Sequence, residues 1–169
     1  MFRIELTNDQ SQLPLDTARL TKAARMVLED AELDRAEISI AVVDDPTIRR
    51  LHQEYLDIDE PTDVMSFVLE QEDGALEGEV VVSADTARSA AEGYGWPAAD
   101  ELLLYVLHGT LHLVGYDDTT PELRTEMRRQ EKQYLARFGL EAPRDDAPAD
   151  APTSPADCQV PTDGGEPTS

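Results

Sequence analysis

Residues 101–118, ELLLYVLHGTLHLVGYDD, constrain this chain more than any other stretch. The segment is a run of leucines and other apolar residues interrupted by two histidines and closed by a glycine, which predicts a buried helix. His108 and His112 are four residues apart, so on a helix their rings leave the same face with Cβ atoms about 5–6 Å apart. Gly115 can adopt the left-handed conformation that ends a helix and lets the chain fold back, offering Asp117 or Asp118 to the same ion. The spacing is H-x3-H-x2-G-x2-D. Two neutral imidazoles and one carboxylate suit Zn(II) with an open fourth position, the arrangement of a catalytic site, and would also accept Fe(II), Mn(II) or Ni(II). The alternative is a pair of inert, hydrogen-bonded core histidines. Two histidines on one face, followed by glycine and a carboxylate and drawn from only three in the chain, favour the metal. Zinc proteases carry a similar helix, H-E-x-x-H, in which the glutamate is the general base. Here the residue after His108 is Gly109, so peptide hydrolysis is the weaker reading.

The chain has 169 residues, enough for one core of ordinary size. Its single cysteine, Cys158, lies in a Pro-rich tail, which rules out a disulfide framework or a thiolate zinc site. The N-terminus lacks the basic start and apolar run of a signal peptide, and no apolar segment is long enough to cross a bilayer. A cytoplasmic protein without membrane contact is expected. The net charge of −22, with two lysines against twelve arginines, weighs against a polyanionic partner, since repulsion opposes phosphate at low salt. A metal ion and a few local arginines could still make one cleft attractive to phosphate.

Along the chain, Phe2 to Leu6 reads as a strand and Leu15 to Leu33 as a helix capped by Asp16 or Thr17. Ala36 to Val43 is a second strand, and Asp45 before Pro46 is the expected cap of a helix reaching about Tyr55. Asp63 to Leu69 and Glu77 to Ser83 form a strand pair, with QEDGALEG as the turn and the valine-rich strand inside the sheet. Ser83 or Asp85 caps the next helix, which stops near Gly93 to Gly95, and Pro97 opens the histidine helix. The last helix starts at Thr119 or Thr120, with Glu122 closing a capping box, and buries Leu123, Met127, Tyr134, Leu135 and Phe138 up to Gly139. The element order predicts an α+β (mixed α/β) domain over residues 1–140, a small four-stranded mixed sheet packed against about five helices with the metal site at the end of a central helix. Residues 141–169 hold six of the eleven prolines and no aromatic residue, and form an acidic tail expected to be disordered.

Three separated motifs, EYLDIDEPTDVMSF, GEVVVSADTA and HGTLHLVGYDD, resemble the YbeY family of bacterial rRNA maturation factors over roughly Phe2 to Gly139. The resemblance implies a metal-dependent, zinc-type endoribonuclease specific for single-stranded RNA. It would act in 3′-end maturation of 16S rRNA and in ribosome quality control, with RNA and the ribosome as partners. It assigns His108 and His112 as the first two metal ligands of HGxLHLxGYDH. The third ligand of that motif is histidine, and this chain has Asp118. A carboxylate keeps the site but lowers its charge by one. The family motif N-x-x-Y-R places an arginine in the cleft where this chain has Leu56, so Arg49 or His52 on the same helical face becomes the candidate phosphate donor. Thr62, Asp63 and Ser66 match the strand motif that edges the cleft. No general base stands out, and His52, Asp117 and Asp63 are candidates by chemistry alone. A second reading from another class is a ribosome-assembly binding factor that keeps the metal for stability. A third is an unrelated metallohydrolase.

Overall fold

A computed structural model describes residues 1–143 and 159–161. Strand β1 (Phe2–Asn8) is followed by α1 (Thr17–Asp30), β2 (Arg35–Val43), α2 (Asp45–Leu56), the hairpin β3 (Val64–Glu72) and β4 (Ala75–Ser83), and then α3 (Ala84–Tyr94), α4 (Ala98–Leu113) and α5 (Pro121–Arg137). The sheet order is β1-β2-β4-β3, with β1, β2 and β4 parallel and β3 antiparallel to β4. The expected four-stranded mixed sheet with five helices is therefore present, and valine-rich β4 lies inside it. Within the tail, Gln159–Pro161 forms a short strand β5 that pairs parallel with Ser66–Val68 on the outer edge of β3. The remaining tail residues, expected to be disordered, lie outside those described. Among the described residues no helix is long and apolar enough to cross a membrane.

Strand alternation sorts the core into two layers. Ile38, Ile40, Val42, Val64, Val80 and Val82 point to the face covered by α1, α3, α4 and α5. Val43, Met65, Phe67 and Val81 point to the other face, where α2 seats Ile48. Helix α4 is the hub of the first layer, buried on nearly every side. It approaches the sheet closely at Gly109, where an added Cβ would meet Val80 Cγ1 at 2.6 Å, Val64 Cγ2 at 3.0 Å and Ser66 Oγ at 3.2 Å. A second close approach lies at Gly78, where a Cβ would meet Leu113 Cδ2 and the Phe67 carbonyl, each at 2.9 Å.

Several local expectations are revised. The hairpin turn is only Asp73-Gly74, with Gly74 at φ +73°, because Glu70–Glu72 and Ala75–Leu76 continue the strands through a bulge between Val68 and Glu70. The cap of α2 is Asp44, whose carboxylate accepts from Thr47 N at 3.0 Å. Asp45 instead accepts from Ser83 Oγ at 2.6 Å and Thr86 Oγ1 at 2.8 Å, tying α2 to α3. Thr120 caps α5 through Leu123 N, which places Glu122 one position too early for a capping box. Leu123 is 41% exposed and belongs to the surface.

Two outcomes are expected. Gly109→Ala forces α4 off the sheet and lowers the unfolding free energy by about 1–3 kcal/mol, measured by chemical denaturation. The hydrogen bonds from Thr47 hold the Asp44 carboxyl below its ordinary range, so its contribution is present above the unfolded-state value and is lost as pH falls through the folded one. Asp44→Ala therefore costs about 1 kcal/mol near neutrality, and the gap from the wild type closes in acid.

Candidate metal centre

Helix α4 starts after Pro97 with Asp100 and Glu101 in its first turn, where carboxylates favour the helix dipole. Glu101, 1% exposed, accepts from Trp96 Nε1 at 2.8 Å. The helix ends in paired hydrogen bonds, Gly115 N to the His112 carbonyl at 3.1 Å and Tyr116 N to the Leu111 carbonyl at 3.0 Å, with Gly115 at φ +113°. This is the glycine-dependent stop expected from the sequence, and it turns the chain back over the last turn of α4.

The turn brings Asp118 to the histidines. Its Oδ2 lies 3.5 Å from His108 Nε2 and 3.7 Å from His112 Nε2. The two rings stand nearly perpendicular at 80°, with centroids 4.7 Å apart. Ligand atoms about 2.0–2.2 Å from a tetrahedral ion sit roughly 3.3–3.6 Å from one another, so the spacing fits a single small cation. One donor atom from each of the three residues lies within 4.8 Å of the others, and the group could hold a metal ion. His112 adds a chemical reason. It is 2% exposed and, among the described residues, neither ring nitrogen has a hydrogen-bond partner, a cost that a cation at Nε2 would partly relieve. Asp117 does not join the cluster. Its Oδ1 accepts from Asp118 N at 2.8 Å and so holds the turn.

A fourth residue completes the arrangement from α5. Glu131, 5% exposed, lies 2.6 Å from His108 Nδ1. A proton on Nδ1 donated to Glu131 leaves the Nε2 lone pair directed at Asp118, the tautomer a metal ligand needs. Arg124, one turn into α5, donates to the Asp118 carbonyl at 3.2 Å and steadies the loop. Sequence reasoning missed both residues. The available signal was a glutamate placed four residues after Met127 and four before Leu135, inside the buried stripe of an otherwise charged helix.

With this geometry in view, comparison with known proteins is decisive: the family model for endoribonuclease YbeY matches residues 5–139. The chain belongs to the YbeY family. The endoribonuclease YbeY of Rhodopirellula baltica is 44% identical over 133 residues, 76% of this chain and 69% of that one. Its counterpart in Sulfurovum sp. is 41% identical over 143 residues, covering 81% and 91%, and that of Syntrophotalea carbinolica is 38% identical over 145 residues, covering 82% and 97%. A solution structure from Thermotoga maritima shares the fold at a TM-score of 0.56 and 22% identity, covering 82% of this chain and 92% of that one.

Other candidates from the sequence are placed as follows. Ser66 on β3 donates from Oγ to the Gly109 carbonyl at 3.0 Å, tying the sheet to α4 beside His108. Thr62 is 4% exposed, and Asp63 Oδ1 accepts from Val64 N at 2.8 Å. His52 is fully buried on α2, its Nδ1 2.8 Å from the Glu60 carbonyl. Arg49 is exposed and pairs with Asp59 at 2.7 Å, and that guanidinium holds the Asp59 carboxyl below its usual range. Leu56 packs against the second core layer. His52, Arg49 and Leu56 thus ride on the helix that covers the sheet face opposite α4. Gly109, the residue a zinc protease would use as its base, presses on Val80 and Val64 and could not hold a carboxylate. A surface hollow lined by Arg3, Arg35, Glu37, Glu70 and Glu77 lies elsewhere, at the ends of β2 and β4, with an acid-rich wall unsuited to phosphate.

A His108→Ala, His112→Ala double variant is expected to lose the ion, read as metal content per chain. Glu131→Ala should weaken metal affinity by about 10- to 100-fold in chelator competition, while Glu131→Gln, which can still accept from Nδ1, loses less.

Proposed function

We propose that this chain is a metal-dependent endoribonuclease specific for single-stranded RNA, acting in 3′-end maturation of small-subunit rRNA and in ribosome quality control in the cytoplasm. The observation that carries this reading is the convergence of His108, His112 and Asp118 at single-ion spacing in a chain of the YbeY family. Zinc suits the donor set of two imidazoles and one carboxylate with room for a fourth ligand. When bound, such an ion supplies Lewis acidity toward a phosphoryl oxygen and makes water a nucleophile near neutral pH.

The protein's own groups divide the remaining work. His108 and His112 present Nε2 from a rigid helix, and Asp118 closes the set from the turn. Glu131 fixes the His108 tautomer from α5. Asp117, half-buried and next to Asp118, is the better general-base candidate, because His52 is fully buried on α2, across the sheet from α4. Thr62, Asp63 and Ser66 shape the strand that borders α4.

A second reading has a specific observation behind it. Leu56 replaces the arginine of the family motif, and Arg49, the nearby substitute, pairs with Asp59 on the helix that covers the sheet face opposite α4. A chain so altered could serve ribosome assembly by binding RNA while cleaving it slowly. Incubation of the zinc-loaded protein with single-stranded RNA, with and without chelator, separates the two. Cleavage that stops on chelation and returns with zinc is the expected result. RNA binding without cleavage at any salt concentration would leave the binding factor as the better description.

A further inference from the structure

The net charge of −22 poses a physical problem for any RNA-binding reading, since the chain as a whole repels a polyanion. The distribution of charge offers a solution. Helix α5 carries five basic residues, Arg124, Arg128, Arg129, Lys132 and Arg137, against three acidic ones, Glu122, Glu126 and Glu131. It is net positive in a strongly negative protein, and it is the helix that packs against the metal site.

Access sharpens this. Among the three candidate ligands, His108 is the one that reaches solvent, with 15% of its side chain exposed against 2% for His112 and 4% for Asp118. A phosphate arriving from solvent would meet the candidate ligand set on the His108 side. Glu131 of α5 sits at His108 Nδ1, and Arg128, one turn earlier, reaches Glu131 Oε1 at a loose 3.7 Å with 36% of its side chain exposed. Arg124 lies a further turn back on the same face and spends one Nη1 proton on the Asp118 carbonyl. A guanidinium carries five N–H donors, so each arginine retains donors beyond the single contact described. Arg129 points to Glu126 and Arg137 to Asp30, which removes both from this face.

We propose that Arg128 and Arg124 form the phosphate-binding pair of this site, receiving the backbone of single-stranded RNA beside the metal. The assignment rests on the RNA reading above but not on cleavage. In this arrangement Glu131 serves two groups, orienting His108 with one oxygen and steadying Arg128 with the other. The arginines hold the strand one carboxylate away from the ion, where fork-shaped donors suit two phosphate oxygens at once.

The test uses zinc-loaded full-length protein and a labelled single-stranded RNA, with Kd read by fluorescence anisotropy over a salt series and cleavage followed in parallel. Arg128→Gln and Arg124→Gln are each expected to weaken binding about tenfold. Each should also reduce the slope of log affinity against log salt by about 0.7, the contribution of one phosphate contact to a single strand. Zinc content of Arg128→Gln should match the wild type, which separates a phosphate contact from damage to the ligand set. Arg129→Gln should bind as the wild type does. An unchanged Kd and salt slope in both Arg128→Gln and Arg124→Gln overturn the assignment. Wild-type binding without cleavage, still sensitive to these changes, would instead remove catalysis from the proposed function and leave the arginine pair standing.

Discussion

The close approach of α4 to the sheet at Gly109 is the constraint on which the rest of the molecule depends. With hydrogen in place of a side chain, the helix settles until its backbone meets Val80 and Val64, and the Ser66 hydroxyl can then reach the Gly109 carbonyl. The helix is thereby fixed in depth and rotation, and His108, one residue away, inherits that precision. Burial around the helix is so complete that its polar groups need internal partners. Thr110 Oγ1 donates to the Val106 carbonyl at 2.7 Å, Glu101 takes the Trp96 indole, and His108 takes Glu131. His112 has no such partner among the described residues and could take an ion. A site built on a packed helix can hold donor atoms to within fractions of an ångström, which a loop-borne site seldom achieves.

The same packing explains why a metalloprotease-like spacing carries different chemistry here. In H-E-x-x-H the second residue must project toward the ion, whereas α4 turns that position into the sheet. The helix therefore offers no carboxylate at that position, and the turn after Gly115 carries those of Asp117 and Asp118. That turn already contributes Asp118 to the cluster and uses Asp117 to hold its shape.

Much of this was legible in the sequence because the signals were local. The histidine spacing, the Gly115 stop, the Ser83 cap and the valine-rich central strand each follow from short-range geometry. What escaped notice depends on tertiary neighbours. Glu70–Glu72 are poor strand formers, yet pairing with Ala75–Glu77 draws them into the sheet. Asp44 and Asp45 are equally good caps by residue type, and the contacts of Asp45 with Ser83 and Thr86 on α3 leave the cap to Asp44. Glu131 looks like one more charge on a charged helix until α5 is packed against His108. A charged residue in a buried stripe was the visible clue.

Electrostatics ties the site to its surroundings. A divalent ion held by His108, His112 and Asp118, with Glu131 behind His108, would meet two carboxylates, so the local formal charge would be close to zero. A histidine in place of Asp118 would leave one positive unit to attract phosphate, and here that unit is gone. At an ionic strength where the Debye length is about 10 Å, charges farther than that from the site are largely screened, and near charges decide whether phosphate is admitted. Among the described residues, Arg124 and Arg128 of α5 lie beside the site. The carboxylate that compensates the ion is thus balanced by guanidinium groups on the same helix as Glu131, and metal orientation and phosphate attraction become properties of one packing interface, α5 against the end of α4.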